Sequence, residues 1–372
     1  MTRYRPTVAE VDLDAVRHNV RLLIPEDAAL MAIVKADGYG HGAAPVSRAA
    51  LEAGASRLGV ALVEEGLALR DEGIAAQILV LTEFPPGSEK EALEAGLTPS
   101  VYSYDGLDRL AEAAGATARP VAVHLKLDTG MHRVGLWPPG DAPAFGGRIL
   151  DAGLEIEGVW THFADSELDD EGTRRQLSLF RTAVEALAAN GIHPPVVHAA
   201  NSGATIRLPE THLDLVRPGA AVYGLDPGGG IARGLGLRPV LSWRSAVTMV
   251  KRLPAGERVS YGGRYELERT STIATVPVGY DDGYPRTAEG AEVLIGGARR
   301  PVAGTITMDQ IVVDCGDAHV APGDEVVLIG AQGDERITAD ELAERAGTIA
   351  RAIATGIGKR VPREYPSTGA PA

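Results

Sequence analysis

The chain has 372 residues, with 36 Lys and Arg against 50 Asp and Glu, a formal charge of −14. That balance disfavours binding to nucleic acid or to an anionic membrane surface, and 45% hydrophobic with 23% charged residues is the composition of a globular chain, not a disordered one. The length suits one large domain with a smaller one, and the single cysteine, Cys315, forms no intrachain disulfide, so a reduced, cytoplasmic location is expected.

Residues 1–11 show no basic stretch followed by an apolar one, so no secretory signal is read there. The longest apolar runs, such as 78–81, fall far short of the roughly 18 residues that a membrane-spanning helix needs. From Ala29 to about Gly224, eight β-rich runs at 30–35, 57–62, 77–81, 98–103, 121–127, 157–162, 196–200 and 213–216 alternate with helix-forming stretches such as 43–53, 107–114 and 174–189. Eight such units over roughly 200 residues predict an α/β fold whose N-terminal part, residues 1–233, is a (β/α)8 TIM-type barrel, with an open doubly wound sheet as the alternative. Residues 234–365 read as a second, mostly β domain, with strands at 242–251, 272–278, 292–295, 310–314 and 324–329 and one helix at 339–345. The small, polar, Pro-containing stretch 366–372 reads as a flexible tail.

Barrels gather their chemistry at the carboxyl ends of the strands, so those ends carry the candidates. The first ends in Val34-Lys35-Ala36-Asp37-Gly38-Tyr39-Gly40-His41-Gly42, a lysine between an apolar run and a glycine-rich turn. Partial desolvation there favours the neutral amine that forms a Schiff base, whereas a lysine reaching to solvent is the plainer reading. The fifth ends in His124-Leu125-Lys126-Leu127-Asp128, and alternation puts His124, Lys126 and Asp128 on one face, where a Lys126–Asp128 salt bridge is the simplest account. The sixth ends in Thr161-His162-Phe163, the seventh in His198-Ala199-Ala200-Asn201-Ser202 and the eighth in Val216-Arg217-Pro218-Gly219-Ala220. Backbone N–H groups near Gly219, the Ser202 hydroxyl and Tyr39 are suited to surround a phosphate. A Schiff-base lysine and a phosphate cradle in one barrel mouth point to pyridoxal 5′-phosphate.

The run Ala32-Ile33-Val34-Lys35-Ala36-Asp37-Gly38-Tyr39-Gly40-His41-Gly42 resembles the cofactor-lysine motif of the alanine racemase family. So do Lys126-Leu127-Asp128-Thr129-Gly130-Met131, Thr161-His162-Phe163-Ala164, Ala200-Asn201-Ser202, Val216-Arg217-Pro218-Gly219, Val259-Ser260-Tyr261-Gly262, Val278-Gly279-Tyr280 through Tyr284-Pro285-Arg286, and Met308-Asp309. The ordered series runs from about Glu10 to Arg363, nearly the whole chain.

The resemblance implies a racemase that interconverts L- and D-alanine with pyridoxal phosphate and two bases, supplying D-alanine for peptidoglycan. Lys35 is implied as the lysine that holds the cofactor and as one base, and Tyr261 as the other. Removing a proton from one face of the α-carbon and returning it to the opposite face calls for two such groups. His162 is implied as the partner of Tyr261, and Arg217 as that of the pyridine nitrogen, where an always-protonated guanidinium weakens the electron sink. Tyr39, Ser202, Gly219 and Ala220 fall on phosphate positions, Asn201 on a further cofactor position, Arg133 and Met308 in the substrate region, and Lys126 on a lysine expected to be carbamylated so that it fixes Arg133. The family implies a head-to-tail homodimer in which Tyr261, Tyr280, Tyr284 and Met308 serve the partner's site; ordinary aromatic packing is the alternative for Tyr280 and Tyr284. No metal is implied. The chain departs from the pattern at Thr305, Thr307, Arg351, Ala352 and Lys359. Two other readings are a barrel decarboxylase of basic amino acids, which calls for a reactive cysteine, and a non-catalytic cofactor-binding protein.

Overall fold

The computed structural model describes residues 4–117 and 120–366, and its chain forms two units. One unit, Ala15–Gly38 with Gly42–Arg238, is the barrel. The other contains Tyr39–His41, the chain from Pro239 onward and the residues before Ala15. Strand β1 (Val8–Val11) therefore belongs to the second unit, whereas the sequence boundary at 233 assigns it to the barrel.

All eight predicted barrel strands form: β2 (Ala29–Ile33), β3 (Arg57–Val60), β4 (Ile78–Val80), β5 (Leu97–Val101), β6 (Ala122–Lys126), β7 (Glu155–Trp160), β8 (Val196–His198) and β9 (Leu215–Val216). They pair in parallel in the order β8-β7-β6-β5-β4-β3-β2-β9. Between β8 and β9 the ring closes through two backbone bonds, Asp214 N–H to Val197 O at 3.0 Å and Arg217 N–H to Ala200 O at 2.9 Å. Runs such as Leu30–Val34 and Ile78–Val80 are apolar on both faces because helices cover the outside and side chains fill the inside. Local caps start the helices: Ser103 Oγ accepts from Gly106 N–H at 3.0 Å at the helix Tyr104–Gly115, and Asp169 Oδ1 from Gly172 N–H at 2.8 Å at Asp170–Ala189.

The second unit is mostly β. Its strands are β10 (Leu241–Ala246), β11 (Met249–Leu253), β12 (Arg258–Val259), β13 (Tyr265–Glu266), β14 (Ser271–Val276), β15 (Glu292–Ile295), β16 (Ala298–Pro301), β17 (Ile311–Asp314), β18 (Glu325–Gln332), β19 (Glu335–Ile337) and β20 (Arg363–Glu364). One sheet runs β16-β15-β18-β10-β1-β20 with β19 on β18, a second runs β11-β14-β17, and β12 pairs with β13. The single strand expected at 242–251 is two strands of different sheets, and Ala350–Gly356 is a helix that short length and β-branched flanks hid. Of the tail expected at 366–372, residues 367–372 lie outside the described residues. Among the described residues no helix is long and apolar enough to cross a membrane.

Candidate active site

Lys35 follows β2 directly, at the carboxyl end of the barrel, where Val34 still donates to Gly59 O at 2.9 Å. Beyond it Ala36, Asp37, Gly38 and Tyr39 all have φ between 52° and 61°, a left-handed turn that costs each non-glycine roughly 1–2 kcal/mol. Side-chain carboxylates offset this: Glu65 Oε1 accepts from Ala36 N–H at 2.6 Å, and Asp37 Oδ1 from Ala43 N–H at 2.8 Å. Tyr39 clusters with the second unit, where burial pushes its hydroxyl pKa up and the Arg351 charge opposes that.

Inside the barrel, Trp160 is flanked by two cations, with Lys126 Nζ 4.1 Å and Arg217 Cζ 4.8 Å from its ring centre. Lys126 makes no ion pair with Asp128, contrary to the simplest sequence account; Asp128 Oδ1 instead accepts from Gly130 and His132 N–H at 2.9 and 3.0 Å. Burial, then the charges of Arg217 and Arg133, lower the Lys126 pKa to about 7, with Asp128 opposing and Lys35 adding a smaller push downward. Burial and the same cations, with Lys126, hold His162 neutral, well below the usual histidine range. The structure thus gathers Lys35, Lys126, Arg133, His162 and Arg217 at one mouth, an electropositive site made for an anion.

Arg217 is buried and its guanidinium is nearly fully engaged. Its Nη2 donates to Thr161 O at 2.8 Å and Ala199 O at 3.0 Å and lies 3.5 Å from His162 Nδ1, while Nη1 donates to His198 Nδ1 at 3.1 Å. Close by, Ser202 Oγ accepts from Gly219 N–H at 2.8 Å and Ala221 N–H at 3.3 Å, so its own O–H is directed to another acceptor. Asn201 Oδ1 accepts from Ser166 Oγ at 2.6 Å and Ala204 N–H at 3.0 Å, and Ala220 opens the short turn Ala220–Tyr223 after Gly219.

In the second unit, Tyr261, Tyr280 and Met308 line one surface cleft of about 630 Å3 with Arg286, Thr305 and Thr307. Tyr261 is 74% exposed, yet its backbone is fixed: its carbonyl accepts from Thr305 Oγ1 at 3.0 Å, and Ser260 Oγ donates to Thr305 O at 2.5 Å. Tyr280 and Asp281 N–H reach Thr307 and Met308 O at 3.0 and 3.1 Å. That approach requires glycine at 279, where a Cβ would lie 2.3 Å from both carbonyl oxygens. Tyr284, expected to serve a partner's site, is instead fully enclosed, 5.9 Å from the Trp243 ring, so the aromatic-packing alternative is the correct one for it. Cys315 is buried and its thiol pKa is raised by burial to about 11, which removes the thiolate that the decarboxylase reading calls for. His124, Glu157 and His198 form an interior chain with Arg217 that alternation hinted at only for His124.

A sequence model described as the alanine racemase N-terminal domain matches residues 11–227, and one described as the C-terminal domain matches residues 240–365. The chain belongs to the alanine racemase family. It is 50% identical to the alanine racemase of Symbiobacterium thermophilum, with 97% of each chain covered, and 47% identical to that of Frankia casuarinae, with 96% of this chain and 95% of that one covered. Among solved structures, the alanine racemase from D-cycloserine-producing Streptomyces lavendulae superposes with a TM-score of 0.93 at 44% identity, covering 99% of this chain and 98% of that one. The alanine racemase from Bacillus anthracis with bound L-Ala-P gives 0.92 at 38% identity, covering 100% and 97%.

Proposed function

We propose that this chain is a cytoplasmic alanine racemase that uses pyridoxal 5′-phosphate, works as a head-to-tail homodimer and supplies D-alanine for peptidoglycan. The observation that carries the reading is the ring of Lys35, Lys126, Arg133 and Arg217 around a neutral His162 at the carboxyl ends of the barrel strands, in a chain of this family.

The residues present fit the cofactor. A phosphate, a phenolic oxygen and a substrate carboxylate are all anionic, and this mouth offers the Arg133 and Arg217 guanidiniums beside the Lys35 and Lys126 amines, with Asp128 as the acid acting on Lys126. Ser202, with both backbone donors already on its oxygen, has an O–H to give a phosphate, beside the backbone of Gly219 and Ala220, with Tyr39 as a further phosphate contact. Asn201 supports that loop. Arg217 Nε–H has no partner among the described residues and is the donor assigned to the pyridine nitrogen. When bound, the cofactor supplies the electron sink that acidifies the α-proton of alanine.

Lys35 holds the cofactor and, as a neutral amine, moves the proton on one face of the α-carbon. Tyr261 of the second protomer moves it on the other, with His162 as its partner: since His162 Nδ1 faces the Arg217 donor, its Nε2–H is directed outward to stabilise a phenolate. Arg133 and Met308 line the substrate region, Tyr280 borders the approach, and a carbamate on Lys126 would set a negative charge beside Arg133. A tyrosine that is 74% exposed in its own protomer suits a group that acts in another's site.

Incubating the purified protein and pyridoxal phosphate with L-alanine should yield D-alanine on chiral chromatography. Lys35→Ala should abolish turnover and the visible absorption of bound cofactor; Tyr261→Phe should keep the absorption and slow one direction more than the other. Full activity in both directions for Tyr261→Phe would overturn the two-base assignment.

A further inference from the structure

A line of polar side chains crosses the barrel interior from Arg217 toward the opposite end of the strands. Arg217 Nη1 meets His198 Nδ1 at 3.1 Å and His198 Nε2 meets His124 Nδ1 at 2.8 Å, while His124 Nε2, buried without a hydrogen-bond partner, faces Glu157 Oε2 across 3.5 Å. His124 and His198 are fully buried, and the His198 ring stacks on Trp160 at 5.7 Å. Glu157 is held in turn by Arg57 Nη1 at 2.6 Å and Gln77 Nε2 at 2.6 and 2.8 Å.

Both ends of this chain have only one role open to them. A guanidinium has donors and no acceptor, so His198 Nδ1 accepts and its proton sits on Nε2. That proton is given to His124 Nδ1, so the His124 proton also sits on Nε2, aimed at Glu157. Burial alone would raise the Glu157 pKa, but the Gln77 bonds and the Arg57 guanidinium beside it hold the carboxyl below the usual range, so the carboxylate only accepts. Burial, followed for His198 by the Arg217 charge, keeps both imidazoles neutral. The opposite tautomers would set a His198 Nδ1–H against an Arg217 N–H, two donors face to face.

Backbone features serve this line. The β6–β7 register shifts from Val123↔Ile156 to His124↔Gly158, which leaves Glu157 as the extra residue of a bulge, a device that re-aims a side chain. Gly158 makes room for the ring, since a Cβ there would lie 2.4 Å from His124 Nδ1.

We propose that Glu157 is a positioning residue of the racemase site: its carboxylate, held by Arg57 and Gln77, faces His124 and anchors the far end of the imidazole chain whose direction Arg217 sets. This role rests on the racemase reading above. Glu157 touches neither substrate nor cofactor and acts only through the two imidazoles.

Long-range 1H–15N spectra of the histidine-labelled holoenzyme, with signals assigned by His124→Asn and His198→Asn, read the tautomers directly. The wild type should show neutral His124 and His198 with their protons on Nε2. Glu157→Leu leaves the His124 Nε2–H facing no acceptor, and should shift the His124 Nε2 signal, move the His198 signals and lower kcat about tenfold, with KM for L-alanine changed by less than about twofold. Glu157→Gln keeps an acceptor oxygen facing His124 and should leave the His124 and His198 signals near their wild-type positions, with kcat within about threefold of wild type. A wild-type His198 with its proton on Nδ1, or a Glu157→Leu enzyme with unmoved His198 signals and full kcat, overturns the proposal. Should Glu157→Leu not fold, Gly158→Ala breaks the His124–His198 link with Glu157 in place, and a folded variant with unmoved His198 signals and full kcat overturns it equally. A wild-type holoenzyme that makes no D-alanine overturns the racemase reading; an active one with the wrong tautomers overturns only the role of Glu157.

Discussion

Lys126 shows how one buried amine links charge, modification and stability. Its pKa falls from 10.5 to about 7 because burial and three neighbouring cations disfavour the ammonium, so much of it is neutral near pH 7, the form that reacts with CO2. With CO2 removed, the unfolded state binds more protons than the folded state between pH 7 and 10.5. Stability should therefore rise with pH across that window, by up to about 1.4 kcal/mol per pH unit from this group. Thermal denaturation at about pH 7 and 9 measures the slope. In acid the sign is the same and the groups differ. His124, His162 and His198 are kept neutral below their ordinary pKa of 6.5, so stability present above 6.5 is lost as pH falls below it. His162→Gln, which carries no such proton, should shrink that acid loss in pH-dependent chemical denaturation.

Among the elements, glycine decides which loops meet. At Gly279 an added Cβ would strike the Thr307 and Met308 carbonyl oxygens, so Gly279→Ala should destabilise the second unit by about 2 kcal/mol or more and displace Tyr280 from Met308, read by urea denaturation and by a rise in KM for alanine. By contrast, Gly147 lies in the helix Ala142–Asp151, where a Cβ would meet nothing within 4 Å, and Gly147→Ala should stabilise by about 0.5–1 kcal/mol. Element type was largely legible in the sequence where period and length were strong, as at Asp170–Ala189 and in the eight barrel strands. It was illegible where pairing partners were distant: β1 is short and takes its place from β10 and β20, more than 200 residues away in the chain.

At the scale of the whole molecule, the proposed dimer divides each site between two chains, Lys35 from one and Tyr261 from the other. Mixing Lys35→Ala with Tyr261→Phe protomers under conditions that let them exchange should then restore activity, because one of the two sites in a mixed dimer has both wild-type bases. Random assortment predicts about a quarter of wild-type specific activity. Equal inactivity of the mixture and its components would place both bases in one chain.

The barrel-mouth candidates and the two-part organisation are legible in the sequence because strand ends are marked by β-rich runs that reach Lys35, Lys126, His162 and Arg217, whereas Tyr261 was reached only through the family resemblance of short motifs that keep their order along the chain. The tertiary structure alone decided that Tyr284 is core while Tyr280 is partly exposed, since each directly follows a glycine in the sequence. It alone joined Glu157, His124, His198 and Arg217, which come from three strands and the residue after a fourth and share no period. Strand alternation tells which face a side chain takes, but a bulge and the closure of the ring determine which side chains meet within it.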